Sequence, residues 1–498
     1  MKRLAIALML LAPAIALSQP AYKGNYTEPY RLQFHFTPQQ KWMNDPNGLV
    51  YHKGKYHLFY QYYPNDIVWG PMHWGHAVST DLLHWIHLPI ALYPDSLGWI
   101  FSGSAVIDKN NTAGFGKDAM VAIFTYHNDE IWKQGRKNTE SQGLAYSTDE
   151  GKTWTKYSGN PVLNNSGEQD FRDPKVFWND QLDKWNMVLA VGDRIKIFSS
   201  PNLKVWTFES DFKPADDLKQ LGTWECPDLF PMKDKFSNEE KWVMIVNHDK
   251  YAPNGGSGGR YFVGSFDGKT FINDQPSKWL DNGTDFYAAV TFGNVPDNKK
   301  ILLAWMSNWQ YATKVPTEVW RSAMTLPREL SLEKTESGYI LYQRAVEQLR
   351  KAGKTIYSKA KKGSFSLNKL DLSQAEVSFN ISNAEGTVIT LSNGKGESYT
   401  LTFKDNQLIA DRSKSGNTSF SELFAGKVQT MSLENERISH IQLILDKSSI
   451  ELLLNGGRFS FTNLFFPSEP WSALRIESPK TEAYKFSIRK IKSVWTKK

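Results

Sequence analysis

Apolar and polar positions alternate in short runs along the first two thirds of the chain. From about Leu49 to Leu332 these runs are separated by turn-forming clusters of Gly, Pro, Asn, Asp and Ser, and almost none has the period of a helix. The pattern therefore predicts a domain of many short β-strands.

A small unit recurs four times in this region, at intervals of about 50 to 70 residues. It consists of a serine, a turn-forming residue two positions later and an aromatic residue six or seven positions after the serine. Such Ser and Asp or Asn side chains bond their own backbone, so each copy predicts a tight hairpin, and the spacing favours the blades of a β-propeller. The copies are STDLLHW from Ser79, STDEGKTW from Ser147, SPNLKVW from Ser200 and SFDGKTF from Ser265.

Five polar clusters are spaced at similar intervals, and most are followed by an apolar or aromatic strand. In a propeller the innermost strand of every blade lines the central channel, so equivalent strand starts converge on one axis. Five blades would then bring acidic side chains from three blades into a single pocket. The clusters are centred on Asp45 in NDPNG, Ser102 in FSGSAV, Asp173 in FRDPKVF, Glu225 in WECPDLF and Asp285 in DFYAAV.

The pattern changes beyond Leu332. YQRAVEQLRKA, from Tyr342, has amphipathic helical periodicity and predicts a short helix in a linker. From about Thr355 to Val494 strands alternate with Gly- and Asn-rich turns but lack the hairpin unit, which favours a separate β-sandwich. We thus predict an all-β chain: a five-bladed β-propeller over residues 27–335, a linker with a short helix over 336–354 and a β-sandwich over 355–496.

The N-terminus has the pattern of a cleavable signal peptide over residues 1–18. Lys2 and Arg3 precede an apolar run from Leu4 to about Leu17, which is too short to span a bilayer, and Ser18 offers a cleavage position. This region has no cysteine to carry a lipid, so we expect a secreted or periplasmic protein without a membrane anchor.

Composition narrows the functional classes. Of the 498 residues 40% are hydrophobic and 22% charged, as in ordinary soluble domains, and the single cysteine, Cys226, excludes a disulfide within the chain. The net charge of +7 comes without a basic patch interleaved with aromatics, so nucleic acid is not an expected partner. The 18 tryptophans suit stacking on sugar rings, although packing explains them equally well.

Three acids are candidates for catalysis. Cleaving a glycosidic bond requires one ionised carboxylate as nucleophile and one carboxyl group that donates a proton. Asp45 lies in a turn rich in N–H groups beside Asn44, which favours the carboxylate form and makes it the nucleophile candidate. Glu225, between Trp224 and Cys226, lies in a drier segment that favours its protonated form and makes it the acid/base candidate.

Asp173 is the third acid, and the adjacent Arg172 is a candidate to hold it ionised. Cys226 is expected either to tune Glu225 or to pack as an inert buried hydrophobe. Taken singly, RDP is better explained as a turn with a surface ion pair and EC is uninformative, so only the order and spacing of the motifs favour a shared site.

Five motifs in this order resemble glycoside hydrolase family 32, the invertases, inulinases and levanases: WMNDPNG, FSGSAV, FRDPKVF, WECPDLF and AWMSNWQYA. The resemblance covers nearly the whole mature chain and implies a five-bladed propeller with a C-terminal sandwich. It also implies retaining hydrolysis of β-fructofuranosides without cofactor or metal, with Asp45 as nucleophile, Glu225 as acid/base and Asp173 binding fructose hydroxyls. The sugar contacts that it implies are Trp42, Asn44, Gln61, Trp69, Phe101, Ser102, Arg172 and Trp309.

The expected partner is a fructan or fructo-oligosaccharide. A funnel-shaped axial pocket favours exo attack that releases fructose, but the loop HNDEIWKQGRKNTESQ, from His127, could reshape the entrance, so endo attack stays open. The preference for β-2,6 or β-2,1 linkages and the activity on sucrose also stay open. The sandwich has three candidate roles: support of the propeller, polysaccharide binding and homodimer formation.

Two other functions compete. STDEGKTW resembles the Asp-box of sialidases, which require an arginine cluster and a tyrosine nucleophile, whereas the predicted pocket contains one arginine. A non-catalytic sugar-binding propeller would keep Trp42, Trp69 and Arg172 but has no need for Asp45 and Glu225 together.

Overall fold

Five antiparallel sheets follow one another along the first 345 residues of the computed structural model, which describes residues 24–214, 222–479 and 483–495. The first strand of each sheet contacts the first strand of the next, and the fifth contacts the first, which closes a ring. The sheets are therefore the five blades of a propeller, and the predicted all-β fold with a propeller and a sandwich is confirmed. The predicted signal peptide, residues 1–18, lies outside the described residues.

The blades are numbered in chain order. Blade 1 contains β1 (Lys41–His52), β2 (Lys55–Tyr63), β3 (His73–Ser79) and β4 (Trp85–Leu92). Blade 2 contains β5 (Trp99–Asp108), β6 (Ala119–His127), β7 (Glu140–Ser147) and β8 (Thr155–Lys156), with helix α1 (Asp129–Lys133) between β6 and β7. Blade 3 contains β9 (Phe171–Asn179), β10 (Lys184–Val191), β11 (Arg194–Ser200) and β12 (Thr207–Phe212).

Blade 4 contains β13 (Trp224–Lys233), β14 (Glu240–His248), β15 (Gly258–Phe266), β16 (Phe271–Asn273) and β17 (Lys278–Trp279). Blade 5 contains β18 (Tyr287–Thr291), β19 (Ile301–Met306), β21 (Ala323–Met324), β22 (Arg328–Thr335) and β23 (Gly338–Ala345), with a 3-10 turn at Pro296–Asn298. The short β20 (Trp320–Arg321) pairs in parallel with β1 and so joins the last blade to the first.

The four predicted hairpin units join the third and fourth strands of blades 1 to 4. In the second copy the Ser147 hydroxyl accepts a hydrogen bond from the Gly151 N–H at 2.9 Å, and Trp154 Nε1 donates to the Gly151 carbonyl at 3.1 Å. The predicted turn chemistry is thus confirmed. Blade 5 closes instead through the short turn between Thr335 and Gly338, which explains why the unit occurs only four times.

All five innermost strands carry the same irregularity, a β-bulge in which two residues oppose one residue of the neighbouring strand. A bulge changes the direction of successive side chains, so neighbours on one strand no longer point to strictly opposite faces. The bulged pairs are Asn44 and Asp45, Phe101 and Ser102, Asp173 and Pro174, Cys226 and Pro227, and Ala288 and Ala289.

The C-terminal region forms two six-stranded sheets with an apolar core between them. One sheet contains β24 (Gly353–Lys362), β26 (Ala375–Asn380), β31 (His440–Asp446), β32 (Ser449–Leu454), β33 (Phe459–Leu464) and β35 (Ala483–Ile491). The other contains β25 (Phe365–Leu367), β27 (Val388–Ser392), β28 (Ser398–Lys404), β29 (Gln407–Asp411), β30 (Gln429–Ser432) and β34 (Ala473–Glu477). Helix α3 (Glu422–Ala425) lies between β29 and β30.

The predicted linker differs from the structure. Residues 338–345 are not linker but β23, which pairs with β22 along its whole length as the last strand of blade 5. The helix α2 is correspondingly shorter than predicted and spans only Glu347–Ala352. No helix within the described parts of the chain is long and apolar enough to cross a membrane.

Buried ion pairs join the propeller to the sandwich. Arg328 of β22 donates to Glu451 of β32 through Nε at 3.0 Å and through Nη2, and to Asp281 at 3.0 Å. The two ring nitrogens of His35 lie 2.8 Å from Asp446 and 2.9 Å from Glu451. Burial alone would lower the pKa of His35, but these two carboxylates raise it to about 9.

Asp285, the fifth polar cluster, belongs to this interface. It is buried, and Arg412 of the sandwich donates to its Oδ2 at 2.7 Å, as does the Leu464 N–H at 2.9 Å. The Tyr311 hydroxyl donates to Oδ1 at 2.8 Å. Its spacing thus matches the other clusters, but its carboxylate holds the two domains together.

Candidate active site

One end of the propeller channel opens into a pocket of about 590 Å³. All predicted site residues except Trp42 line it, although they come from all five blades. These residues are Asn44, Asp45, Gln61, Trp69, Phe101, Ser102, Arg172, Asp173, Glu225 and Trp309.

Both carboxylate oxygens of Asp45 are fixed by donors. The Ser102 hydroxyl donates to Oδ2 at 2.8 Å, and the Asn44 amide donates to Oδ1 at 3.0 Å. The Cys226 thiol lies 3.5 Å from Oδ2. Donors of this kind stabilise a carboxylate and hold its orientation, as a nucleophile requires.

Trp42 does not line the pocket, contrary to the prediction that it contacts sugar. It is completely buried, and its Nε1 donates to Asn44 Oδ1 at 2.7 Å. Because that oxygen is occupied, the amide nitrogen of Asn44 faces Asp45. The Trp42 ring also stacks on Trp309, with centroids 6.0 Å apart, so Trp42 supports two lining residues from behind.

Glu225 sits between an arginine and a tyrosine. Arg172 donates to Oε1 through Nε at 3.2 Å and Nη2 at 2.9 Å, and the Tyr287 hydroxyl donates to Oε2. Burial raises the pKa of Glu225; Arg172 opposes this rise and the nearby charge of Asp45 adds to it. A carboxyl group with a raised pKa is suited to donate a proton at neutral pH.

Asp173 lies at the bulge of β9 with a left-handed φ of 65°. Its Oδ2 accepts a hydrogen bond from the Cys226 N–H at 2.9 Å and lies 3.6 Å from the Cys226 thiol. The same thiol is thus in contact with both Asp45 and Asp173. Burial raises the pKa of this thiol, so it remains protonated beside the acids.

Arg172 acts on Asp173 through its charge rather than through a hydrogen bond, and burial outweighs that charge. The hydrogen bonds of Arg172 go to Glu225 and to two further acids, Glu140 and Asp170. Burial raises the pKa of Asp173, and the charges of Glu225 and Asp45 raise it further against the opposing charge of Arg172.

Three charged or polar neighbours of Arg172 and Glu225 were not predicted. Arg172 Nη1 donates to Asp170 at 2.6 Å and to Glu140 at 3.1 Å, and Tyr287 reaches Glu225 from blade 5. Glu140 begins an ordinary strand, and no sequence pattern distinguishes it from a solvent-facing residue. Tyr287 is the third residue of the DFYAAV cluster, so its position on a predicted inner strand is a usable signal.

The loop from His127 forms one wall of the pocket, in agreement with its suggested place at the entrance. Its short helix α1 carries Trp132, whose side chain is 60% exposed although it lines the pocket. His127 stacks on Phe101 with centroids 4.3 Å apart and lies 6.5 Å from Trp132. An aromatic series therefore leads from the acids to the entrance.

Comparison with known proteins agrees with this geometry. The sequence model of the glycosyl hydrolases family 32 N-terminal domain matches residues 35–345, and that of the family 32 C terminal matches residues 345–493. The levanase of Bacillus subtilis (strain 168) is 44% identical over 98% of this chain and 74% of its own. The extracellular exo-inulinase of Aspergillus awamori is 38% identical over 95% of this chain and 97% of its own.

A crystal structure of exo-inulinase from Aspergillus awamori has the same fold. It superposes with a TM-score of 0.86 at 37% identity and covers 95% of this chain and all of that one. Both domains of the chain are matched by the family, and the acids occupy the pocket that its motifs predict. The chain therefore belongs to glycosyl hydrolases family 32.

Proposed function

We propose that this glycoside hydrolase removes fructosyl units from the ends of fructans with retention of configuration, using Asp45 as nucleophile and Glu225 as acid/base. As a member of its family with levanase and exo-inulinase relatives, the chain hydrolyses β-fructofuranosidic bonds. Family membership also excludes the sialidase alternative. The residue assignment rests on one observation. In the same pocket, hydrogen-bond donors hold the carboxylate of Asp45, while burial raises the pKa of Glu225.

In the first step Asp45 attacks the anomeric C2 of the terminal fructosyl unit. The bond from C2 to the glycosidic oxygen breaks as a carboxylate oxygen of Asp45 bonds to C2, and Glu225 transfers its proton to the departing oxygen. Ser102 and Asn44 hold the carboxylate plane, so the attack requires little reorganisation.

In the second step water replaces Asp45 at C2. Glu225, now ionised, takes a proton from the water as its oxygen bonds to C2, and the ester bond to Asp45 breaks. Arg172 and Tyr287 stabilise the carboxylate of Glu225 in this interval. We expect the two carboxyl groups to lie about 5 to 5.5 Å apart, as retention requires.

Asp173 binds the hydroxyls of the fructosyl ring. Its carboxyl group can accept hydrogen bonds from sugar hydroxyls and, because burial raises its pKa, can also donate one to them. Its fixed contact with the Cys226 N–H holds it beside the reacting carbon.

The exo mode is supported by the shape of the channel. Behind the acids the cavity narrows to a void of about 10 Å³. Lys175 crosses the channel there and bonds Asp228 at 2.9 Å and the Thr291 carbonyl at 2.6 Å. A polymer therefore cannot thread through the propeller, and a chain end fits the closed pocket better than a chain interior does.

Chromatography of the early products from levan and from inulin tests this proposal. Fructose as the sole early product supports exo attack, and the faster polymer gives the linkage preference. A ladder of oligosaccharides would replace the proposal with endo attack. No release of sugar from either polymer or from sucrose would favour a non-catalytic sugar-binding propeller.

Export and self-association complete the proposal. An extracellular relative supports export, and N-terminal sequencing of the secreted protein would test cleavage after Ser18. The homodimer through the sandwich stays a prediction, which light scattering of the purified protein tests.

A further inference from the structure

The guanidinium of Arg172 is shared among three carboxylates. Its Nε and Nη2 donate to Glu225, while Nη1 donates to Asp170 at 2.6 Å and to Glu140 at 3.1 Å. Nε and Nη2 of the planar guanidinium thus face Glu225, whereas Nη1 faces the other two carboxylates. The proposed mechanism uses only the side that faces Glu225.

Glu140 differs from an ordinary partner of a surface arginine. It is only 3% exposed, and His127 Nδ1 lies 3.5 Å from the same Oε1 atom that Arg172 bonds. Burial alone would raise the pKa of Glu140, but Arg172 and His127 outweigh burial and lower it. Glu140 is therefore an anion buried one side chain away from the acid/base residue.

We infer that Glu140 is a positioning residue for Glu225: it fixes the Arg172 fork and withholds part of the arginine charge, so that Glu225 keeps its proton until the leaving oxygen takes it. An arginine that faced Glu225 alone would stabilise the carboxylate and weaken the acid. An arginine without Glu140 would also lose the contact that sets the orientation of its plane.

This inference rests on the proposed function, because it assigns a second role around the same acid. The titratable groups that face Glu225 are Arg172, Asp45 on β1, Asp173 on β9, Cys226, and Tyr287 on β18. Glu140 and Asp170 face Arg172, and His127 faces Glu140. Replacing Glu140 with Gln changes only one of these charges. The loss of a nearby anion favours the ionised form of Glu225, and so does the larger share of the arginine charge that then reaches it. The two effects therefore lower the pKa of Glu225 together.

The test is the pH profile of kcat/KM for the purified Glu140→Gln enzyme on a short fructan oligosaccharide. The alkaline limb reports the acid group in the free enzyme, and we expect it to move to lower pH by roughly half to one unit. The acidic limb is expected to stay in place. Asp170→Asn is the matched control: Asp170 bonds the same Nη1 atom but is 26% exposed, so water screens it and its shift should be smaller.

If the pH profile of Glu140→Gln keeps both limbs in place and kcat is lower at every pH, Glu140 has only a structural role and the inference is overturned. An Asp170→Asn shift as large as that of Glu140→Gln would do the same, because the effect would then follow from any charge near Arg172. A melting temperature and far-UV spectrum like those of the wild type exclude misfolding as the cause. If the wild type itself hydrolyses no fructan, the proposed function fails. If the wild type does hydrolyse fructan and its pH profile coincides with that of Glu140→Gln, only this inference fails.

Discussion

The hydroxyl of Ser102 donates a hydrogen bond of 2.8 Å to Asp45 Oδ2 across the gap between blade 2 and blade 1. Each of these residues lies in the bulge of its own inner strand. The alignment of the proposed nucleophile therefore depends on how blades 1 and 2 pack against each other.

Removing this hydroxyl should lower activity without unfolding the protein. A charge-assisted hydrogen bond contributes about 1.5 to 3 kcal/mol, so Ser102→Ala should lower kcat by about 10- to 100-fold. The matched control is Ser104→Ala, two residues along the same strand, where the hydroxyl bonds only the Pro174 carbonyl and the Val176 N–H. Steady-state kinetics should show a loss of kcat in the first variant and mainly a lower melting temperature in the second. Equal kcat in both variants would contradict the role of Ser102.

The two proposed reacting acids should respond differently to an added nucleophile. We expect Asp45→Asn and Glu225→Gln each to lower kcat more than about 100-fold while the melting temperature stays near that of the wild type. Azide should partly restore turnover of Glu225→Gln, since it attacks the fructosyl-enzyme without help from a base, but not of Asp45→Asn. Activity close to wild type in either variant would end the assignment.

Tyr287→Phe should shift the pH profile in the direction opposite to that of Glu140→Gln. The tyrosine hydroxyl donates to Glu225 and favours its carboxylate form, so its removal raises the pKa of Glu225. The alkaline limb of kcat/KM is then expected at higher pH. A shift to lower pH would show that Tyr287 does not act through this hydrogen bond.

Trp132→Ala should weaken binding of longer chains only. Its exposed ring at the pocket entrance can stack on sugar units beyond the cleavage point, and we expect KM for levan or inulin to rise about threefold to tenfold. KM for the shortest substrate hydrolysed should stay the same. Ile131→Ala, in the same short helix but outside the pocket lining, controls for disturbance of the helix. An equal rise in KM for short and long substrates would contradict this role.

Stability should fall at alkaline pH because of His35. Its pKa is about 9 in the folded protein and near 6.5 when unfolded, so its contribution is complete below about pH 6.5 and is lost as pH rises through about 9. The difference amounts to about 3 kcal/mol of unfolding free energy. Urea unfolding at several pH values should show this loss in the wild type and a smaller dependence in His35→Gln. Identical pH dependence in the two proteins would place the effect elsewhere.

Most of the propeller, and the meeting of the three acids in one pocket, could be predicted from the sequence because their signals are local and repeated. A Ser-Asp turn satisfies its own backbone, so its chemistry is visible in seven residues, and five polar clusters at similar spacings imply five similar blades. The end of the propeller was missed for the opposite reason. Residues 342–345 have helical periodicity, but pairing with β22 decides their conformation, and that partner is not visible in a local window.

The contacts of Arg172, Trp42 and Asp285 also required coordinates. In a regular strand Arg172 and Asp173 would point apart, and only the bulge determines which neighbour the arginine meets. Trp42 belongs to a sugar-binding motif yet acts through Asn44, since a motif does not distinguish a ring that faces the pocket from one that lies behind it. Asp285 has the spacing of a pocket residue but is neutralised by Arg412, a residue more than a hundred positions away.

The bulges shared by the five inner strands separate what the protein does from how it folds. A residue in a bulge leaves the ladder without a one-to-one partner, so its side chain can be exchanged while the hydrogen bonds that carry the blade persist. Exchanging the bulge side chains that line the pocket should consequently change catalytic rate and substrate choice more than thermal stability, whereas the fully buried Ala288 and Ala289 should tolerate only small residues. The five inner strands would then serve as a starting point for engineering carbohydrate reactions that the natural sequence does not catalyse.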